Sequence, residues 1–175
     1  MLELGGKAVL SNNIELTENL TISKDIILDL NGKAITNADS FTGGSLISVI
    51  SGTLTVNDSQ AEGRIETNTD QIINVSSSGA LIVNSGSIAS DGYAVYIDGA
   101  VTVNGGMISY LFGGANDGDI SVTVTGGTIL NFNVPSYVTV TGGTFGNDPT
   151  EHLPDGYTAT YDETENVWTV VPTAN

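Results

Sequence analysis

The sequence predicts an all-β protein, a right-handed parallel β-helix solenoid with a C-terminal β-hairpin cap. Three observations predict this fold: a strand-and-turn motif recurs six times, further apolar stretches lie between copies, and no helical pattern of useful length precedes Asp148. We expect residues 1–146 to form the β-helix with its opening strands. Residues 147–175 are expected to form the cap, as part of the same domain.

The recurring motif is an apolar residue, any residue and a second apolar residue, followed by Asn or Thr and then Gly or a small polar residue. Its copies begin at residues 28, 54, 81, 101, 122 and 138, and the copy at 101–106 reads VTVNGG. Alternation of apolar and polar residues is typical of a strand with one buried face, and Asn and Gly tolerate the positive φ of a tight corner. Each copy therefore predicts a short strand, a sharp corner and a second short strand.

A third apolar stretch follows in several repeats, at residues 46–50, 72–75 and 94–97. Three strands and three corners per repeat describe one coil of a parallel β-helix. The distance between copies falls from 27 to 16 residues along the chain. This spacing predicts insertions at residues 36–44 and 60–69 and a shaft that narrows towards its C-terminal end.

The corner residues that follow each first strand are expected to stack in one column. Coils lie about 4.8 Å apart, so side-chain amides at the same corner form a hydrogen-bonded ladder with a structural role. The residues assigned to this column are Asn31, Asn57, Asn84, Asn104, Thr125 and Thr141.

Both ends of the solenoid are expected to be covered, because exposed strand edges favour aggregation and repeat proteins need caps. Residues 147–154 carry a helix N-cap and an early proline, which predicts one helical turn. Residues 156–160 and 166–171 predict a hairpin around an acidic turn, and residues 2–22 predict the opening strands and a second cap. The aromatic residues available to pack on the last coil are Tyr157, Tyr161 and Trp168.

The charge of the chain limits its partners. Its 175 residues carry 20 acidic side chains and four basic ones, for a net charge of −16. Phosphate backbones and anionic lipids are repelled by such a chain, so we expect neither nucleic acid nor a membrane as a partner. The acidity fits a role in solubility, or a partner with a basic face.

Other sequence features exclude further classes or leave them open. The absence of cysteine excludes disulfides and thiolate metal sites, and no run approaches the roughly 20 apolar residues of a membrane helix. The first six residues lack the basic and apolar regions of a secretory signal. Either the protein is not exported through such a signal, or the sequence begins after it.

Several segments resemble known β-helix proteins. Residues 5–10, 14–22 and 27–35 resemble the first coils of pectate-lyase-like β-helix proteins. Residues 141–149, followed by 155–157, are similar to the closing module of β-helical repeats in bacterial surface proteins, and related coils occur in bacteriophage fibres, spikes and capsid decoration proteins. The resemblance extends over nearly the whole chain and implies the fold. It is less specific for function, because one fold supports many functions.

The residues predict no catalytic site. Pectate-lyase-like enzymes use acidic calcium ligands with a basic proton acceptor, and no basic residue here lies beside a repeated acidic pair. Arg64, near Asp58 and Glu62, is the nearest candidate, and a salt bridge on a loop explains it better. His152, the only histidine, lies in the predicted cap. We therefore expect a protein that is not an enzyme and that has no catalytic residue and no cofactor.

Two further motifs are candidate ligand sites. Residues 116–119 (NDGD) resemble part of a calcium loop but lack its distal Glu, so a polar loop is favoured and no metal site is expected. Four aromatic residues could present rings on one side of adjacent coils and bind sugar, or serve as core or ladder residues. These residues are Tyr93, Tyr96, Tyr110 and Phe112.

Two functions from different classes follow from the resemblance and the absence of a catalytic motif. In the first, the protein is a structural component of a tailed-phage virion, a capsid decoration, cement or head-fibre protein on the capsid exterior. It would then assemble as a homotrimer and contact the major capsid protein or another virion protein. In the second, it is a β-helical module of an adhesin at a bacterial cell surface and binds glycan or a host protein.

Overall fold

The computed structural model describes residues 6–68, 70–114, 120–135 and 137–174. Within these ranges the chain forms twenty β-strands and one short 3₁₀ turn. The chain winds through seven successive coils, and strands of adjacent coils pair in parallel. The predicted all-β parallel β-helix is thereby confirmed.

One line of strands contains one member from every coil and forms a seven-stranded parallel sheet. Apolar side chains alternate with polar ones along these strands, so one side chain in two points into the core. The strands of this first line are β1 (Gly6–Val9), β4 (Ile26–Asp29), β7 (Gly52–Asn57), β10 (Gly79–Val83), β13 (Ala100–Val103), β15 (Ser121–Val124) and β17 (Val138–Val140).

A second line follows the corner after each of these strands, and a third line is present only in the first four coils. The second line consists of β2 (Ile14–Leu16), β5 (Ala34–Asn37), β8 (Arg64–Thr67), β11 (Ser87–Ser90), β14 (Met107–Gly113), β16 (Thr128–Asn133) and β18 (Gly143–Phe145). The third line consists of β3 (Leu20–Ile22), β6 (Ile47–Val49), β9 (Gln71–Val75) and β12 (Tyr93–Ile97).

The second and third lines merge in the fifth coil. Strand β14 pairs through its first residues with β11 and through its last residues with β12. A single strand then replaces the two strands and the corner of the earlier coils. The coil spacing, measured from paired first-line residues, is 20 residues in the first coil (Lys7 to Ile27) and 28 and 27 residues in the second and third coils, which contain the insertions. It is 20 and 21 residues in the fourth and fifth coils and 16 in the sixth (Thr123 to Thr139).

The core is built from columns of apolar side chains that stack from coil to coil. In the clearest column, each residue lies directly over the corresponding residue of the next coil and is at most 2% exposed. Full burial of such a side chain contributes about 1.5–3 kcal/mol as an upper estimate. The members of this column are Ile35, Ile65, Ile88, Ile108, Ile129 and Phe145.

The predicted insertions are partly wrong. Residues 36 and 37 belong to β5, so the first insertion starts at residue 38 and ends before Ile47. Residues 64–67, assigned to the second insertion, form β8, because Ile65 is drawn into the core between Ile35 and Ile88. Thr69 lies outside the described residues.

The C-terminal cap has the predicted parts. A 3₁₀ turn spans Thr150–His152, and β19 (Tyr157–Asp162) forms an antiparallel hairpin with β20 (Val167–Pro172). Strand β20 also pairs antiparallel with β18, so the hairpin extends the sheet beyond the last coil. Tyr157 and Trp168 pack against the core as expected. Tyr161 does not: it is 41% exposed and contacts the Trp168 ring at 5.1 Å between centroids.

The N-terminal end of the stack is formed by β1, β2 and β3, while residues 2–5 of the predicted opening segment lie outside the described residues. An apolar cavity of about 310 Å³ opens at this end among side chains of the first two coils. No helix in the described part of the chain is long and apolar enough to span a membrane.

Candidate functional site

Side-chain hydrogen bonds link the corner after the first line through four coils. Asn84 Nδ2 donates to Asn57 Oδ1 and Asn104 Nδ2 donates to Asn84 Oδ1, each over 2.9 Å. Thr125 Oγ1 then donates to Asn104 Oδ1 over 2.8 Å. Thr141 lies at the same corner, but its hydroxyl donates to the Val124 carbonyl at 3.4 Å. The four linked residues are named here the amide column.

The assignment of Asn31 to this column is wrong. Asp29, and not Asn31, lies opposite Asn57 in the next coil. Asn31 has a left-handed backbone (φ 51°), and its Nδ2 donates to the Leu10 carbonyl over 2.9 Å. Asp29 Oδ1 accepts the backbone N–H groups of Asn31 and Ser59, both at 3.0 Å. Burial raises the pKa of Asp29, but these hydrogen bonds outweigh that effect and lower the pKa below its ordinary value.

The four predicted aromatic residues are brought together on the outer face of the solenoid. In β12, Val95 and Ile97 point into the core, which turns Tyr96 outward. In β14, burial of Leu111 likewise turns Tyr110 and Phe112 outward. Register places Tyr96 beside Phe112 on adjacent coils. This cluster, called the aromatic patch, consists of Tyr93, Tyr96, Tyr110 and Phe112.

The rings of the aromatic patch contact one another and are half-buried. Tyr93 lies at its centre, with ring centroids 4.5 Å from Phe112, 5.1 Å from Tyr110 and 6.1 Å from Tyr96. Tyr96 and Phe112 are tilted by 34° with centroids 5.6 Å apart. These distances are those of favourable aromatic pairs, which contribute about 0.5–1.5 kcal/mol each beyond area burial. The patch is therefore a rigid apolar surface on two paired strands.

Amide side chains border the aromatic patch on the adjacent coils. On the N-terminal side, Gln71 is in register with Tyr93, and Asn74 is in register with Tyr96. On the C-terminal side, two exposed asparagines occupy the equivalent positions of β16. The register pairs there are Tyr110 with Asn131 and Phe112 with Asn133. Amide donors and acceptors thus lie on both sides of the rings.

A carboxylate lies at one end of the aromatic patch. The side chains of Asp98 and Tyr96 converge on Gly114, where a Cβ atom would contact Asp98 Oδ1 and lie 3.0 Å from Tyr96 Oη. A side chain at position 114 would therefore displace both groups. The Asp98 carboxylate and the Tyr96 hydroxyl thus both lie beside Gly114, in space that a side chain there would fill.

A second feature, which the sequence did not predict, is a polar groove of about 440 Å³ beside the ends of β5, β8 and β11. Asn37 organises it, since its Oδ1 accepts from Thr67 Oγ1 at 2.7 Å and its Nδ2 donates to Asn68 Oδ1 at 2.9 Å. The residues that line this polar groove are Thr36, Asn37, Glu66, Thr67, Asn68, Ala89, Ser90 and Asp91.

Arg64 lies at the margin of this region and forms an ion pair with Glu66 over 2.8 Å, where both side chains are nearly half exposed. The predicted partners Asp58 and Glu62 do not form this pair. Asp58 instead accepts the backbone N–H groups of Gly32 and Gly63, each at 2.7 Å, because the corner requires these donors to be satisfied.

The other candidate residues do not meet at one place. His152 is buried in the cap, where its Nε2 lies 3.2 Å from Glu151 Oε1 and its ring stands edge-on to Phe132. Residues 116–119 of the candidate calcium loop lie outside the described residues. In the part of the chain that the structure describes, no three His, Asp or Glu side chains form a group suited to a metal ion.

No family model, curated protein sequence or solved structure matches this chain. The function must therefore be inferred from the geometry of the aromatic patch, the amides around it and the polar groove.

Proposed function

We propose that this protein is a non-enzymatic carbohydrate-binding protein and that the aromatic patch is its binding surface. The observation that carries the proposal is the placement of four outward rings between two rows of amide side chains. Aromatic rings present an apolar face to the C–H groups of a sugar ring, and amides exchange hydrogen bonds with its hydroxyls. This surface fits the glycan-binding role expected for a surface-adhesin module.

The electrostatics favour uncharged or amine-bearing sugars over acidic ones. Asp98 adjoins Tyr96, and Asp91 lies two residues before Tyr93. From Ile65 to Asn175 the sequence contains no Lys or Arg. An anionic sugar would meet carboxylates without a neighbouring cation, so we expect sialylated or uronate-containing glycans to bind weakly.

The experiment is a glycan array that contains neutral, amino and acidic oligosaccharides, followed by calorimetric titration of the tightest glycan. We expect Tyr96→Ala and Phe112→Leu to weaken binding by about tenfold each, since loss of one stacking contact of about 1.4 kcal/mol corresponds to that factor. Phe112→Leu keeps an apolar side chain and so preserves the packing. Tyr137→Ala is the matched control, because Tyr137 is 67% exposed and lies outside the aromatic patch.

Two results would overturn the proposal. One is the absence of binding to any glycan on the array at millimolar concentration. The other is binding that Tyr96→Ala and Phe112→Leu leave unchanged while circular dichroism shows the native fold. In either case the four rings serve to stabilise the outer face of the sheet.

A second candidate function, the homotrimeric virion protein, is favoured by one separate observation. The first-line strands β7, β10, β13, β15 and β17 contain no charged residue, although the chain has a net charge of −16. Depletion of charge is typical of the core of a protein interface, and copies of an acidic chain repel each other least through an uncharged face. We therefore propose this first-line face as the contact between subunits if the protein is such an assembly.

A further inference from the structure

The polar groove adjoins the aromatic patch on two adjacent coils, the coil of β11 and β12 and the coil of β14. Ser90 and Asp91 line the groove, and only Gly92 separates Asp91 from Tyr93 of the patch. On the neighbouring coil, Ser109 precedes Tyr110. Its hydroxyl accepts from the Ser90 backbone N–H at 3.1 Å and donates to the Ser90 carbonyl at 3.2 Å. The two features are thus joined by direct contacts between adjacent coils.

The groove presents the exposed polar side chains of Asn68 and Asp91 to solvent. Ser90 Oγ, by contrast, is buried, and it makes no hydrogen bond within the described chain. The other lining groups include amide, hydroxyl and carboxylate side chains. Such a surface suits a ligand with many hydroxyls.

The charges of the groove restrict that ligand further. Glu66 is paired with Arg64, while Asp91 is an exposed carboxylate without an ion-pair partner among the described residues. Asp70, directly before β9, and Asp98, directly after β12, add further negative charge. The surroundings favour neutral or amine-bearing groups in the groove and disfavour carboxylated ones.

We infer that the polar groove and the aromatic patch form one extended site for a neutral or amino-sugar oligosaccharide. One sugar residue stacks on the patch and the following residues lie along the groove, where they hydrogen bond to the exposed side chains of Asn68 and Asp91. This inference rests on the proposed function, since it assumes that the patch binds sugar. It adds a required ligand class, a chain of several sugars, and a specific contact outside the rings.

The test uses the tightest glycan from the array, shortened stepwise from its full length to the monosaccharide, with dissociation constants measured by calorimetry. Affinity of the wild-type protein should rise with each added residue until the groove is filled. Ala89→Tyr places a bulky side chain in the groove and should weaken the full-length glycan by about tenfold, while the monosaccharide changes by less than about twofold. Asn68→Ala should reduce the gain from chain length without altering the affinity for the monosaccharide.

Thr160→Tyr, on the exposed face of the cap hairpin, is the control for an added aromatic side chain. The extended site is overturned if a glycan binds through Tyr96 and Phe112 but its affinity is independent of length, or if Ala89→Tyr leaves all lengths unchanged. Failure of every glycan to bind overturns the proposed function itself. The two failures are therefore distinct.

Discussion

The side-chain amide of Asn84 donates to Asn57 Oδ1 across two adjacent coils, and Asn84 Oδ1 in turn accepts from Asn104. Asn84 is thus the central member of the amide column and takes part in two of its three hydrogen bonds. The residues before Asn84 belong to β10, which pairs in parallel with β7 and β13. The amide column therefore links adjacent coils at one corner of the solenoid, independently of the apolar core.

Replacement of Asn84 by alanine should reduce the free energy of unfolding by about 1–2 kcal/mol, since two hydrogen bonds of about 0.5–1.5 kcal/mol each are lost at an exposed site. Thr125→Ala removes the terminal hydrogen bond alone and should cost about half as much. Urea denaturation followed by circular dichroism measures both. Equal stability of Asn84→Ala and the wild type would show that the exposed column contributes nothing.

The register of this column illustrates what the sequence could and could not reveal. Copies with Asn or Thr after two alternating apolar residues align by inspection, which identified Asn57, Asn84 and Asn104. The assignment was wrong for the first copy, where Asn31 was aligned in place of Asp29. A shift of two residues along a strand keeps every side chain on the same face, so both alignments satisfy the alternating pattern. The choice depends on the pairing of Asp29 with Asn57, a contact between distant residues.

Strand β8 and the polar groove escaped prediction for a related reason. Residues 64–67 contain one apolar residue, Ile65, so the segment has no visible alternation, and its burial comes from Ile35 and Ile88 of the neighbouring coils. The aromatic patch was foreseeable as a group of outward positions in two strands. Its flanking amides were not, because the register of Asn74 and Asn133 is set by the corners between coils.

The close approach of coils at the corner after the first line is tested by Gly106→Ala. Gly106 has φ of +76°, and a Cβ there would lie 2.5 Å from the Gly86 carbonyl oxygen. Gly156 has a similar φ of +89° with nothing within 4 Å of its Cβ position, so Gly156→Ala measures the backbone strain without a steric contact. We expect Gly156→Ala to cost about 1–2 kcal/mol and Gly106→Ala to cost about 1–3 kcal/mol more. Equal losses in thermal unfolding would contradict the close approach.

His152 makes the stability of the cap dependent on pH. The residue is 6% exposed, its Nδ1 has no hydrogen-bond partner in the described chain, and burial lowers its pKa against the opposing effect of Glu151. The unfolded chain, with a pKa near 6.5, therefore takes up the proton first. This contribution to stability is complete above about pH 6.5 and decreases as the pH falls towards the lower pKa of the folded state.

The pH dependence can be measured by urea denaturation between about pH 5 and pH 8, with the imidazole titration followed by NMR. Since His152 is the only histidine, its imidazole resonance is unambiguous. His152→Gln is the control and should flatten the dependence in this range. An imidazole pKa at or above the ordinary value in the folded protein would refute the assignment.

Self-association through the first-line face is tested by the solution mass. Light scattering over a range of concentrations should give about three times 18.0 kDa if the protein is a homotrimer.

Thr102 lies at the centre of the uncharged face, between the buried residues Val101 and Val103. Thr102→Glu places a carboxylate in that face, where copies of a chain with net charge −16 would meet, and should shift the mass towards the monomer. Thr158→Glu adds the same charge to the cap hairpin and should leave the mass unchanged. A wild-type monomer at every concentration would exclude the homotrimer and leave glycan binding by a single chain, as in an adhesin module, as the function to test.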